Sequence, residues 1–153
     1  MNTTATSVLE EAISALRQKK IDVYTFALYF DHESPAISVC ADTAVNSAIT
    51  VQQINTYNRK YFDLAVASGD LRTASLWCAN IGRSLALGNF AVKNLARTSI
   101  DVAEVGEDFY RDILRALFNA EDKVTTLTGS KASLLLCCSG PSDEVEFCWS
   151  PRV

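Results

Sequence analysis

The sequence predicts an α+β fold, a single domain with one antiparallel or mixed sheet of about four strands, arranged as two hairpins and packed with several helices. Three observations carry this prediction. Apolar residues recur at helical spacing near the amino terminus and again over 107–127. They alternate with period two over 21–41 and over 132–150. Between these two strand pairs lies a long helical middle section, with no linker, internal repeat or charge block in the 153 residues.

Each element has its own signal. Ser7 with Glu10 fits a capping box, and Leu9, Ala12, Ile13 and Leu16 form one stripe, with Glu10 and Glu11 placed in the first turn and Arg17, Lys19 and Lys20 in the last. Over Ile21 to Asp31, Tyr24, Phe26, Leu28 and Phe30 share one face and Val23, Thr25, Ala27 and Tyr29 the other. Both faces are apolar, as in a central strand covered on both sides. Asp31 to Pro35 reads as a loop, and Ile37, Val39 and Ala41 complete a hairpin. Asp42 or Thr43 caps the next helix, whose stripe is Ile54, Tyr57, Tyr61, Leu64 and Ala65 and which stops near Ser68-Gly69. Asp70 caps another, with Leu71, Ala74, Cys78 and Ile81 inward, Trp77 alongside and Gly88 as a stop. Phe90, Val92, Leu95 and Ala96 fit a short helix, while Thr98 to Ile100 suits an extended chain. Glu107 to Leu127 is the clearest helix, marked by Phe109, Ile113, Ala116, Leu117, Ala120, Val124 and Leu127. A second hairpin follows: Ala132 to Ser139, a turn over Gly140 to Asp143, and Glu144 to Ser150. There Val145, Phe147 and Trp149 point one way and Glu144, Glu146 and Cys148 the other.

Composition excludes several classes. Hydrophobic residues make up 48% and charged residues 21%, with only 6 Gly and 3 Pro, so neither disorder nor a low-complexity chain is expected. The longest weakly polar stretch, Ala132 to Gly140, is far short of the roughly 20 residues that cross a membrane. Eighteen acidic residues against fourteen basic ones give a net charge of -4, which disfavours nucleic acid and suits a basic protein partner. The polar start from Met1 to Ser7 lacks the pattern of a signal peptide, and five cysteines without a CxxC suggest a reduced, cytoplasmic protein. No cofactor and no metal site are expected. The vicinal Cys137 and Cys138 lie on a strand, so their sulfurs should diverge to opposite faces.

Four groups stand out as candidate sites. His32, the sole histidine, sits with Glu33 in the first hairpin loop, either as an exposed acid/base or contact residue or as an ordinary loop residue. Asp143, Glu144 and Glu146 crowd the second hairpin, as a solvated edge that discourages strand pairing, as an acidic contact patch, or as paired carboxylates for acid/base work or a hard cation. Trp77 to Arg83 (WCANIGR), read as helical, brings Trp77, Asn80 and Arg83 together, either to hold an anion or to tie the middle section to the sheet. The aromatic run Tyr57, Tyr61, Phe62 and Trp77 reads more economically as core than as a stacking surface.

Residues 23–29 (VYTFALY) and 38–43 (SVCADT) resemble the first strands of the uncharacterised bacterial family known as domain of unknown function 4303, over roughly the first 65 residues. Leu76-Trp77-Cys78 is only an echo of that family's Trp-rich run. The resemblance implies a small cytosolic α+β domain without established catalytic residues, similar in size and organisation to proteins encoded beside polymorphic toxins. Two functions are therefore expected. The first is a non-enzymatic interaction domain of the immunity-inhibitor type, with His32, Glu33, Asp143, Glu144 and Glu146 as contact residues. The alternative is a small-ligand or enzymatic domain using Trp77, Asn80 and Arg83 with a carboxylate such as Asp101. A subunit of a larger assembly would instead expose a large apolar patch.

Overall fold

In a computed structural model the described residues are 2–152, so Met1, the first residue of the polar amino-terminal stretch, and Val153 lie outside them. The chain divides into two compact units. A sheet unit comprises the residues up to Ala44 and those from Phe90 onward, and a helical unit comprises Val45–Asn89.

The sheet unit contains α1 (Asn2–Gln18), β1 (Thr25–Asp31), β2 (Ala36–Asp42), β3 (Val92–Ser99), α4 (Glu107–Thr125), β4 (Leu135–Cys138) and β5 (Phe147–Trp149). The helical unit contains α2 (Ala44–Ala67) and α3 (Leu71–Leu76). The α+β class is as expected, with a fifth strand added: one mixed sheet in the order β3-β2-β1-β4-β5. Two antiparallel hairpins, β1/β2 and β4/β5, are joined side by side through a parallel β1/β4 pair. The central position of β1 explains its two apolar faces.

One sheet face is covered by α1 and α4, which also pack against each other. Phe26, Leu28 and Phe30 from β1, Ile37, Val39 and Ala41 from β2, and Leu136 and Cys138 from β4 meet Leu9, Leu16, Phe109, Ile113 and Leu117 there. Cys138 joins this core and Cys137 does not, so the two sulfurs diverge as the strand period requires. The other face carries buried Thr25, Tyr29, Ser38, Cys40 and Asp42.

Several expected boundaries are corrected. α1 begins before Ser7 because Ala5 and Val8 carry the buried stripe one turn further back, so Ser7 is interior and Glu10 and Glu11 lie beyond the first turn. Its carboxyl end is a Schellman turn. Lys20 adopts φ 54°, its N–H donates to Arg17 O (3.1 Å), and the Ile21 N–H donates to Leu16 O (3.2 Å). β1 begins at Thr25, four residues later than the apolar alternation suggests.

The expected short helix over Phe90 to Ala96 is instead the edge strand β3, preceded by Phe90. Its pairing with β2 is broken by two register shifts, and Asn94 and Ala96 stand at φ 55° and 52°. Such bulges destroy the alternation by which strands are recognised. They also re-aim side groups: the Tyr29 hydroxyl bonds the Asn94 side-chain carbonyl, and Ser38 Oγ donates to Leu95 O (2.9 Å). Burial raises the Tyr29 phenol to about 12, with Cys40 adding to the shift.

In the helical unit, the α2 stripe is not core. Of its five expected residues only Ala65 is buried, while Tyr57, Tyr61 and Leu64 are exposed. α3 stops at Leu76, short of the expected run to Ile81, and of its expected inward residues only Ala74 is buried. Asp70 does cap it, accepting from Thr73 N–H (3.0 Å).

Candidate functional site

Because β1 and β4 run parallel, their carboxyl ends lie side by side, and each leads into a hairpin loop. Ser139 ties the two ends together. Its Oγ accepts from the Phe30 N–H (2.7 Å) and donates to the Glu144 carbonyl (2.7 Å). The two groups of candidate contact residues, more than a hundred positions apart in sequence, therefore come to one end of the sheet.

In the first loop, Asp31 accepts from the Glu33 and Ser34 N–H groups (both 3.0 Å) and pairs with Arg97 at 2.8 Å. The Ser34 amide, followed by Arg97, holds the Asp31 carboxyl below its ordinary range. Arg97 also donates to Ser34 O (2.9 Å), locking β3 to the loop. His32 and Glu33 are left exposed, with the imidazole stacked over Tyr110 (centroids 6.4 Å, 19°) and edge-on to Phe30 (5.1 Å).

The second loop is held by its own carboxylates. Glu146 Oε2 accepts from the Ser142 N–H (2.9 Å), and its side chain lies where a Cβ on residue 140 would be, so a side chain at Gly140 would displace Glu146 from this clamp. Asp143 Oδ1 accepts from the Glu144 N–H (2.7 Å). Glu144 is half-buried, and its carboxyl is raised, first by desolvation and then by the Asp31 charge, with Asp143 and Glu33 adding and His32 opposing. Tyr110 is raised by burial and by the Glu146 charge.

The loops thus form one surface on which acidic groups outnumber cations, with Glu33, Asp143 and Glu146 exposed, Glu144 half-buried, and Asp143 and Glu146 also clamping their own loop. Tyr110 on α4 and Arg97 on β3 also reach this end of the sheet, and Ser139 is buried beneath it; none had a sequence signal, because each is brought there by tertiary packing or strand pairing rather than by a local pattern.

The residues of the alternative site are placed differently. Trp77 to Arg83 is a loop after α3 rather than a helix, because α2 side chains take up its backbone groups. Asn55 donates to Asn80 O (3.0 Å) and accepts from Asn80 N–H (2.7 Å), while Asn58 donates to Cys78 O (3.4 Å). The Asn80 side chain accepts from Gly82 N–H (2.8 Å) and donates to Arg83 O (3.3 Å), so it staples its own loop. Asp101, in the sheet unit, caps a short 3₁₀ turn by accepting from Ala103 N–H (2.9 Å).

Trp77 itself stacks on Tyr61 (4.6 Å, 25°), which in turn contacts Tyr57 (4.9 Å), so the expected aromatic core is a surface cluster. Beside it runs a groove of about 820 Å³ lined by Val51, Asn55, Arg59, Phe62, Trp77 and Cys78, among others. Arg59 on its rim is paired with Asp63 (2.7 Å).

Among the described residues no cluster of His, Cys, Asp and Glu suits a metal ion, and no helix is long and apolar enough to cross a membrane. Compared with protein families, with curated proteins and with solved structures, the chain shows no match.

Proposed function

We propose that this chain is a non-enzymatic protein-interaction domain of the immunity-inhibitor type, acting in a bacterial cytoplasm on a toxin or effector with a basic surface. The observation that carries this reading is the meeting of two hairpin loops, with Glu33, Asp143, Glu144 and Glu146, at one end of a rigid sheet. A surface on which carboxylate charges gather around Glu144 attracts cations and speeds association with them. The sheet unit bears a net charge of -6, so its overall field has the same sign. Loops anchored by a buried serine and by their own carboxylates are also pre-organised, which reduces the ordering cost of binding. The resemblance of residues 23–29 and 38–43 to domain of unknown function 4303 supports the same reading.

The test is an affinity pull-down of tagged protein from its native cytosol at low and moderate salt, repeated with Glu33→Lys/Glu144→Lys. A single stoichiometric basic partner, retained by the wild type and weakened about tenfold or more by the double variant, is expected. Equal retention by both forms would remove the acidic loops from the interface.

A second reading is favoured by the groove beside Trp77: a small, largely apolar ligand bound by the helical unit. It predicts a change in Trp77 fluorescence and a raised Tm with such a ligand, both lost in Trp77→Ala.

A further inference from the structure

The register of the second hairpin sets Cys137 of β4 directly opposite Cys148 of β5. Their sulfurs lie 3.4 Å apart, in contact with no room for a third atom between them. Directly opposed residues of an antiparallel pair have Cα atoms about 4.5–5.5 Å apart, within the roughly 4.4–6.8 Å that a disulfide spans. The strands therefore need no rearrangement to be bridged. Cys148 is exposed, whereas Cys137 is fully buried behind it.

We propose that Cys148 and Cys137 form an oxidisable dithiol, with Cys148 as the thiol that meets a peroxide and Cys137 as the thiol that resolves it. In the first step the Cys148 sulfur attacks one peroxide oxygen. The O–O bond breaks, Cys148 becomes a sulfenic acid, and one water leaves. In the second step the Cys137 sulfur attacks the sulfenic sulfur, the S–O bond breaks, and a second water leaves with the Cys137 proton. Each sulfur has then given up one electron, and the peroxide has accepted two. A dithiol reductant reverses the bond by thiol–disulfide exchange.

The other three cysteines are placed for different outcomes. Cys40 and Cys138 are buried, and desolvation raises both thiols, that of Cys138 to about 12, which disfavours their direct reaction with a peroxide. Cys78 is exposed in the helical unit and marks what a solvent thiol does when oxidised. The bond between Cys137 and Cys148 would close the loop over Ser139–Glu146, the segment that holds Asp143, Glu144 and Glu146. On the interaction reading above, oxidation therefore tunes the docking surface, but the bond itself depends on no partner.

The test treats the full-length protein with stoichiometric hydrogen peroxide, blocks remaining thiols under denaturing conditions, and maps peptides cut at Glu144 and Glu146. The expected result is that the fragments carrying Cys137 and Cys148 stay joined until a dithiol reductant is added, and that Tm is higher before reduction than after. Cys148→Ser should abolish the joined fragment. Recovery of Cys148 as a sulfinic or sulfonic acid beside a free Cys137 thiol would overturn the proposal, as would a bond from Cys148 to Cys138 or to a second chain. Peptide mapping of the wild type decides the matter even if Cys148→Ser fails to fold. Partner affinity is measured separately on the two redox forms, so a joined fragment with unchanged affinity would leave the dithiol standing and count against the docking role alone.

Discussion

The sheet unit and the helical unit treat apolar side chains in opposite ways. Among the described residues, thirty buried hydrophobic side chains belong to the first and only three, Ala65, Ala74 and Leu87, to the second. Large exposed hydrophobics run the other way, three against ten, and the ten include Tyr57, Leu64, Leu71, Leu76 and Ile81. Charge divides along the same line. The sheet unit has sixteen acidic and ten basic residues, whereas the helical unit has two acidic and four basic. A net charge of -4 therefore hides an acidic unit and a mildly basic one. Helical periodicity reports that a face is apolar, but what that face meets is decided by the rest of the fold. An apolar surface of this kind is also what an assembly subunit would display.

This contrast can be broken most sharply in the two sets of hydrophobic residues. Phe26→Ala, which empties the centre of the sheet core, should cost about 3–5 kcal/mol in chemical denaturation. Ile81→Ala, at a fully exposed position, should stay within about 0.5 kcal/mol. Equal losses would mean that the helical unit has a stabilising role its burial does not reveal.

A smaller effect comes from the two Schellman turns, one in each unit. α2 ends at Gly69 with φ 75°, its N–H on Val66 O (3.0 Å), whereas α1 ends at Lys20 with φ 54°. Glycine adopts this conformation without steric cost and lysine does not. Gly69→Ala should destabilise by about 1 kcal/mol, and Lys20→Gly should stabilise by about 0.5–1 kcal/mol, each read as a shift in denaturation midpoint.

The smallest effect belongs to the acidic loops. The Glu144 carboxyl is raised in the folded protein, so its charged form is disfavoured there relative to the unfolded chain. Stability from this group is full at pH below the ordinary carboxylate range and is lost as pH rises through the raised value. Glu144→Gln should therefore stabilise by a few tenths of a kcal/mol at neutral pH and by nothing in acid. A gain that persists at low pH would point to packing rather than charge.

How much of this was legible in the sequence follows from which side chains obey a simple period. β1, β2 and α4 were readable because almost every residue keeps its expected face, from Phe26 and Leu28 to Ile113 and Leu117. β3 was not, because Asn94 and Ala96 turn the chain through positive φ and no alternation survives. The spacing of the second hairpin places its turn at Gly140 to Asp143, whereas the unpaired stretch runs from Ser139 to Glu146. That difference shifts the register and hides the Cys137–Cys148 pairing from any reading of spacing. The acidic residues were each visible, but their convergence depends on a parallel pairing that no local pattern announces.

The parallel β1/β4 pair also carries a temporal consequence. Thr25 waits for Leu135, 110 positions later, before the second edge of the central strand is covered. At a synthesis rate of about 5–20 residues per second, that interval is roughly 5–20 seconds. Throughout it, Phe26, Leu28 and Phe30 belong to a nascent hairpin with one open edge, the kind of surface that recruits another strand or a chaperone. The segment from β4 onward is therefore what covers the second edge of β1, and a ribosome stalled before β4 would release an aggregation-prone product.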